Sequence, residues 1–175
     1  MNCIIADNEA AKGGVFNLNS GSDMTLTNCT VANNRATYPW SDGGGGIASI
    51  CIGTVNMTNT IAWGNSADSG NGHNVYKSCT PNIDVGTISY SDFDGSTQGS
   101  PSYPPYLYQC YVTDGGGNID PATDPSFGSN YRLTGFSINV IDAALAADGP
   151  SDDIDGDSRI PVSGMIDMGA DEYIP

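Results

Sequence analysis

The sequence predicts an all-β fold, a right-handed single-stranded parallel β-helix that ends in an irregular acidic C-terminal cap. Three observations favour this class: a unit bounded by Asn recurs along the chain, the apolar residues come in short clusters, and Gly, Asn, Ser and Thr separate those clusters. Only 14% of the 175 residues are charged, whereas the surfaces of helical proteins carry many charged side chains. We therefore expect short strands bounded by turns, and no long helix.

The repeated unit aligns without gaps at residues 2–8, 28–34 and 59–65. These starts are about 26 to 31 residues apart, too far for a hairpin and suitable for one coil of a solenoid. A further coil is expected at residues 85–90. Side chains at equivalent positions should then stack, which predicts three columns: Asn8, Asn34 and Asn65; Cys3, Cys29 and Thr60; and the inward-pointing Ile5, Val31 and Ala62.

A second landmark recurs in phase with this unit, as a short step of small or polar residues followed by apolar ones. The three steps are Gly13-Gly14-Val15-Phe16, Gly45-Gly46-Ile47-Ala48 and His73-Asn74-Val75-Tyr76. Their recurrence supports the stacked arrangement, because each coil of a solenoid must turn at equivalent positions.

The repeat divides the chain into three segments. Residues 1–95 are predicted to form the coils, residues 96–116 a loop rich in Pro, Ser and Tyr, and residues 117–175 a last coil and the capping segment. An open end of a solenoid exposes apolar core and unpaired strand edges. The C-terminal segment is expected to cover one end. The edge of the first coil should be blocked by self-association into a homo-oligomer, by the loop around residues 103–108, or by further coils.

The charge balance restricts the partners. Lys and Arg number 5 against 20 Asp and Glu, a net charge of −15, and such a surface repels nucleic acid and anionic lipid. No apolar run approaches the roughly 20 residues of a membrane-spanning helix, and the N-terminus lacks the pattern of a signal peptide. Nucleic-acid binding and membrane insertion are therefore not expected.

The five cysteines have no spacing typical of a zinc or redox motif. Cys3 and Cys29 occupy equivalent repeat positions and are predicted to be buried core residues. A disulfide between two of Cys51, Cys79 and Cys110 remains open.

Asp153, Asp155 and Asp157 form the sharpest candidate site, with Gly156 allowing a tight turn. Alternate carboxylates on such a turn point oxygen ligands at one place, as Ca²⁺ requires, so calcium is the candidate cofactor and no organic cofactor is expected. The pattern is not an EF-hand, since the closing Glu is replaced by Gly164. In the competing interpretation, Asp155 caps a turn and Asp153 or Asp157 pairs with Arg159.

No catalytic residue is assigned. A glycosidase needs two carboxylates about 5 to 10 Å apart, and the turn-like candidates are Asp7, Asp42, Asp68, Asp92 and Asp94. Cationic side chains are too scattered for a polysaccharide lyase, and His73 is interpreted as a surface turn residue. Eight aromatic residues would either bind sugar rings or pack between coils: Tyr38, Trp40, Trp63, Tyr76, Tyr90, Tyr103, Tyr106 and Tyr108.

The C-terminal segment carries six motifs in a fixed order: Gly117-Asn118-Ile119-Asp120, Asp124-Pro125-Ser126-Phe127, Tyr131-Arg132-Leu133, the step at 137–142, the Asp-rich turn at 153–159, and Asp167-Met168-Gly169-Ala170-Asp171-Glu172-Tyr173. This order resembles the end of bacterial parallel β-helix repeat proteins of the choice-of-anchor Q type. Ser137-Ile138-Asn139-Val140 departs from their Ser-Pro-x-Ile step, and residues 121–123 lengthen another. The resemblance implies a secreted or cell-surface protein.

The sequence thus leaves two functions open. The first is a non-catalytic extracellular module that binds a carbohydrate or a cell-surface glycan. The alternative is a carbohydrate-active enzyme, a hydrolase or lyase, or its inactive remnant.

Overall fold

The computed structural model describes residues 1–18, 21–39, 46–50, 53–68, 73–77, 83–93, 107–108, 110–119 and 123–175. Within these residues the protein is all-β, which confirms the predicted class: it contains parallel strands, two single-turn 3₁₀ segments at Ser129–Tyr131 and Ala146–Asp148, and no α-helix. The strands are short because Gly, Asn, Ser and Thr, which are frequent in this sequence, form turns that end each strand after a few residues.

The chain passes repeatedly through four parallel sheets, numbered here in the order in which it enters them. Sheet 1 contains β1 (Ile4–Ala6), β5 (Thr30–Ala32), β9 (Ile61–Trp63) and β13 (Asp92–Phe93). Sheet 2 contains β2 (Glu9–Ala10), β6 (Arg35–Ala36) and β10 (Ser66–Ala67). Sheet 3 contains β3 (Phe16–Leu18), β7 (Ala48–Ile50), β11 (Val75–Lys77) and β14 (Leu107–Tyr108). Sheet 4 contains β4 (Met24–Thr27), β8 (Val55–Thr58), β12 (Ile83–Ser89) and β15 (Cys110–Asp114).

Each strand inside a sheet therefore pairs with strands of the preceding and following passes, and each edge strand pairs with one neighbour. We call β1–β4 the first pass, β5–β8 the second, β9–β12 the third and β13–β15 the fourth, and all four passes together the stack. The register confirms the alignment of the repeated unit, because Thr30 pairs with Ile4 on one side and with Ile61 on the other. The second landmark is in register between the first two passes, with Phe16 opposite Ala48. Its third occurrence is displaced by one residue, because Ala48 lies opposite Val75 and not opposite Tyr76.

Two strands lie inside the segment 96–116, for which the sequence predicted a loop. Strand β14 pairs with β11, and β15 pairs with β12, so the chain has returned to sheets 3 and 4 by residue 107. The fully buried Val112 anchors β15 in the core. The sequence did not predict these two strands because Pro-rich sequence precedes them, and Pro is unfavourable in strands. Residues 96–106 and 109 of the predicted loop lie outside the described residues, and residues 115–116 follow β15 without regular secondary structure.

The core of the stack consists of the inward-facing side chains of successive passes, among them Val31, Ala62 and Phe93. Val31 and Ala62 are fully buried and Ile5 packs against them, as the alternation of the repeat predicted. Burying each such aliphatic side chain contributes about 2 kcal/mol.

The two cysteines of the repeated unit differ in exposure. Cys29 is buried as predicted, whereas Cys3 is exposed, because it belongs to the first pass and no described strand lies beyond it. Cys51 and Cys79 lie outside the described residues, as does the side chain of Cys110.

Polar columns hold the corners of the stack. The Asn8 and Asn34 backbone amides donate to the Oδ1 atoms of Asn34 and Asn65 at 3.0 Å each, which confirms the predicted Asn column. A second column forms where the backbone amide of Cys29 donates to the hydroxyl of Thr60, at 3.4 Å. The first Asn of each unit adopts the left-handed conformation, with φ between 47° and 54° at positions 2, 28 and 59, which Asn tolerates better than most residues.

Residues 123–175, which we call the tail, pack along the outer face of sheet 1. Ile61 of β9 belongs to a buried cluster with Leu133, Val140 and Met168 of the tail, and within the tail β16 (Ala144–Leu145) pairs antiparallel with β17 (Met165–Ile166). The sequence predicted that residues 117–175 would form a last coil and a capping segment. Asn118 and Ile119 do continue the stack beyond β13, since Ile119 bridges to Asp92 and Asn118 accepts the backbone amide of Ser91. The tail itself lies along the flank of passes one to three, where Asp7, Asn28 and Asn59 hydrogen-bond to it.

Candidate functional site

The predicted calcium loop is a tight turn at the edge of the tail. Its ends are joined by an antiparallel bridge between Asp152 and Ser158, and Gly156 allows the turn with φ of 86°. Asp153 is 6% exposed. Its Oδ1 accepts the backbone amides of Asp155 and Asp157, at 2.8 and 2.9 Å. This carboxylate therefore holds the loop, the role that the competing interpretation gave to Asp155.

The structure groups a different third carboxylate with this loop. Oxygen atoms of Asp153, Asp155 and Asp171 lie within 4.8 Å of one another, and we call these three residues the acidic cluster. Asp157 is exposed and contributes no carboxylate to it. The spacing of the Asp residues did not predict Asp171 as a member, because Asp171 lies on a separate stretch of the tail.

A guanidinium group already neutralises much of the acidic cluster. Arg132 donates to Asp155 Oδ1 at 2.8 Å and to Asp171 Oδ1 at 2.9 Å, and the backbone amide of Leu133 donates to the other oxygen of Asp171. Three carboxylates suit Ca²⁺ in donor type, but an ion there must compete with Arg132. The carboxylates are thus satisfied by the protein itself.

Arg159 fastens the tail to itself and to the stack. Its side chain is 1% exposed and pairs with Glu172 at 3.1 Å, rather than with Asp153 or Asp157 as the sequence suggested. It also donates to the carbonyl oxygens of Gly169 and Asp167 and to the side chain of Asn2. A buried guanidinium with this set of acceptors is a structural element, because removing it would leave the buried Glu172 carboxylate without its counter-charge and the carbonyl oxygens without this donor.

A cavity of about 340 Å³ opens beside this network, entirely within the tail. Its lining combines apolar side chains with three carboxylates, at Asp142, Asp167 and Glu172. Asp167 is 2% exposed and accepts the backbone amides of Asp142 and Tyr173, each at 2.7 Å. Asp167 is the first residue of the last sequence motif, but no local signal marked it as a buried carboxylate.

The environment of Asp167 disfavours its charge. Burial is the largest cause and raises the pKa of this carboxyl from 3.8 to about 6, because a low-dielectric surrounding penalises the ionised form. The neighbouring carboxylates of Glu172 and Asp142 act in the same direction, and the two backbone amides oppose them. Asp167 therefore changes charge close to neutral pH.

The carboxylates considered for a glycosidase have separate environments. The Asp7 carboxylate accepts the hydroxyl of Tyr131 at 2.6 Å, Asp68 forms a two-point ion pair with Arg35, and Asp92 is buried in β13. Asp42 and Asp94 lie outside the described residues. Asp7, Asp68 and Asp92 therefore each make separate structural contacts in the stack or between the stack and the tail.

The aromatic residues considered for sugar binding are partly used in packing. Trp63 packs against the cluster between stack and tail, Tyr76 is 3% exposed, and Tyr38 lies 4.8 Å from the Lys12 ammonium. Tyr90 is half-buried at a corner of the stack. His73 is half-buried. Trp40, Tyr103 and Tyr106 lie outside the described residues, as does the side chain of Tyr108.

Comparisons with known proteins give no assignment: no protein-family model, curated protein or solved structure matches this chain. In the described part of the chain, no helix has both the length and the apolar character needed to cross a membrane.

Proposed function

We propose that the chain is a non-catalytic parallel β-helix module of a secreted or cell-surface protein, related to the choice-of-anchor Q type, and that it binds a neutral glycan. The cyclic order of the four sheets supports the β-helix, because each of the first three passes contributes one strand to every sheet and pairs only with its neighbours. The tail motifs quoted above support the relationship and the location.

The observation that carries glycan binding is a row of neutral polar side chains across sheet 4. Thr25 lies opposite Asn56 and Thr87 opposite Thr113, while the backbone amide of Thr87 donates to Asn56 Oδ1 at 3.0 Å. Thr25, Thr87 and Thr113 are exposed. Parallel strands repeat about every 4.8 Å, so this face offers hydroxyl and amide groups at a regular spacing to a polymer whose own hydroxyl groups repeat.

The charge of the chain selects among glycans. A net charge of −15 repels uronate polymers such as pectate unless cations bridge the two, whereas a neutral polysaccharide is not affected. The environments of Asp7 and Asp68 favour binding over catalysis, because both carboxylates already hold the structure together.

Titration calorimetry with neutral and with uronate oligosaccharides tests this proposal. We expect saturable binding of a neutral oligosaccharide, weakened by Thr87→Ala and unchanged by Asn17→Ala, which alters an exposed polar residue of sheet 3. Equal effects of both variants, or binding of uronates alone, would contradict it. Release of reducing ends from the same oligosaccharides would instead support the carbohydrate-active enzyme.

We further propose that a second copy of the chain covers the first pass. Strands β1, β2, β3 and β4 each lie at an edge of their sheet, and such edges bind other strands unless they are protected. Analytical ultracentrifugation should show a concentration-dependent dimer. A Pro substitution at Ile4 in β1 should weaken it, because the Ile4 amide points away from β5, whose ladder uses Cys3 and Asp7. A monomer at all concentrations would refute self-association.

A further inference from the structure

The cavity in the tail has an unusually apolar mouth. Ile160, Val162 and Ile174 all line it, and they are 65%, 54% and 55% exposed. Ile141, Tyr173 and Pro175 complete the apolar part of the wall. Apolar side chains gathered at the mouth of a concave site favour an apolar ligand, because the ligand removes their surface from water.

The carboxylates of the cavity retain capacity to accept hydrogen bonds. Each carboxylate accepts about four. Asp167 uses two for backbone amides, and no described donor hydrogen-bonds to the exposed carboxylate of Asp142. Glu172 is the most heavily used, because it accepts from Arg159 and from the backbone amides of Ile160 and Asp167.

The charges around the cavity are unbalanced. Arg159 is the cation that the structure places against this group, and it pairs with Glu172. Asp142 and Asp167 line the same cavity, where the Asp142 backbone amide donates to Asp167 Oδ1 at 2.7 Å, so their two carboxyl groups lie on one wall. A positive group placed between these two carboxylates would relieve their repulsion, whereas an anion would add to it.

We propose that this cavity binds a small organic amine in its ammonium form, with the ammonium at Asp142 and Asp167 and an aliphatic or aromatic body against the Ile160, Val162 and Ile174 side chains. An ammonium has three donors and no acceptor, so it complements carboxylates that only accept. The apolar wall contributes affinity in proportion to the area that the ligand covers. This site is separate from the glycan-binding face on sheet 4, so each proposal can fail without the other.

A series of six-carbon ligands with different head groups tests the charge requirement. Hexylammonium, 1-hexanol and hexanoate share one chain and differ in the head. Amide resonances in ¹H–¹⁵N spectra should shift saturably with hexylammonium, foremost at Asp142 and Tyr173, whose backbone amides donate to Asp167. We expect binding at least tenfold weaker with 1-hexanol and none with hexanoate. Equal binding of hexylammonium and 1-hexanol would overturn the proposal, as would the absence of saturable shifts.

A pair of variants tests the position of the ammonium. Asp142→Asn removes one charge, and Asn tolerates the φ of 50° at this position, so the fold should be preserved. It should weaken hexylammonium about tenfold, whereas Asp148→Asn, an exposed Asp of the tail outside the cavity lining, should leave the affinity unchanged. Equal effects of the two variants would indicate general attraction to an acidic surface and refute the site.

The length of the ligand tests the apolar wall independently. Each methylene removed between hexylammonium and butylammonium should weaken binding about fourfold. A Val162→Ser variant should reduce this dependence on length and preserve the preference for the ammonium. Affinity that is independent of chain length would show that the wall takes no part, which contradicts the proposed orientation.

Discussion

Replacing Asn34 by Ala tests whether the Asn column stabilises the stack. Asn34 is fully buried, and its side chain takes part in four hydrogen bonds. Oδ1 accepts the backbone amide and the side-chain amide of Asn8, at 3.0 and 2.9 Å. Nδ2 donates to the Ile5 carbonyl oxygen at 2.9 Å and to Asn65 Oδ1 at 3.0 Å. The alanine variant loses all four.

The magnitude follows from burial. A net hydrogen bond contributes about 1 kcal/mol, and a buried group left without its partner costs about 1 to 3 kcal/mol. Because the four bonds share partners and the Asn8 end is exposed, we expect Asn34→Ala to lower the free energy of unfolding by about 3 kcal/mol. Asn8→Ala is the matched control. It removes the same side chain in the same column, but that side chain is exposed and donates two hydrogen bonds, so the expected loss is about 1 kcal/mol.

Urea unfolding followed by circular dichroism measures both losses. An Asn34→Asp variant separates hydrogen bonding from packing, because Asp has nearly the same volume but cannot donate to the two acceptors that Nδ2 serves. It should be at least as destabilising as Asn34→Ala at pH 7. If Asn34→Ala costs no more than Asn8→Ala, or if Asn34→Asp is neutral, the column does not stabilise the stack in the way described.

Four further predictions concern the tail. Gly169→Ala should lower the free energy of unfolding by about 3 kcal/mol, because φ is 87° there and a Cβ would lie 2.7 Å from a threonine hydroxyl. Gly156→Ala has a similar φ and open space around the Cβ, so it isolates the cost of φ alone, about 1 kcal/mol. Equal losses in urea unfolding would contradict the close packing at Gly169. Arg159→Met should lower the free energy of unfolding by about 4 kcal/mol, because the Arg159 side chain is 1% exposed and its ion pair is buried. Arg35→Met should lower it little, because the Arg35 side chain is 49% exposed. Comparable losses in the two variants would refute this ranking. The carboxyl ¹³C resonance of Asp167 should titrate with a midpoint near pH 6, given its pKa of about 6. Because the folded state binds this proton more tightly than the unfolded state, protonation contributes roughly 3 kcal/mol of stability, complete below about pH 4 and lost as pH rises through 6. A midpoint near pH 4 would contradict this. Calcium should raise the melting temperature only after the arginine bound to the acidic cluster is replaced by Met, and a chelator that lowers the melting temperature of the unaltered protein would contradict this competition.

Much of the stack could be predicted from the sequence because its contacts are periodic. A parallel ladder brings residues of successive passes together at a nearly constant separation, so the side chains that stack also align in the sequence. Asn8, Asn34 and Asn65 were predicted as a column for this reason, and their hydrogen bonds confirm it. Cys3 was predicted wrongly because alignment gives the column of a residue, and its exposure depends on whether another pass lies beyond it.

The position of the tail could not be predicted, because its contacts have no period. Leu145 and Asn59 exchange two hydrogen bonds across 86 residues, and Tyr131 donates to Asp7 across 124. The same limit applies to the candidate sites. Two of the three carboxylates in the acidic cluster lie close together in sequence and were found, whereas Asp171 and the competing Arg132 depend on how the tail folds back.

The tail changes the energetics expected of a stack. In an ideal solenoid each pass contacts only its neighbours, so distant passes are coupled only through those between them. Here Tyr131 bonds to both Asp7 and Asn33, which joins the first pass to the second. Asn28 and Asn59 donate to carbonyl oxygens of the tail, which joins the second pass to the third. If the tail detached, these buried amides would lose partners and the apolar face of sheet 1 would be exposed to water. The stack orders the tail, and the tail in turn couples three passes that a linear array would leave nearly independent.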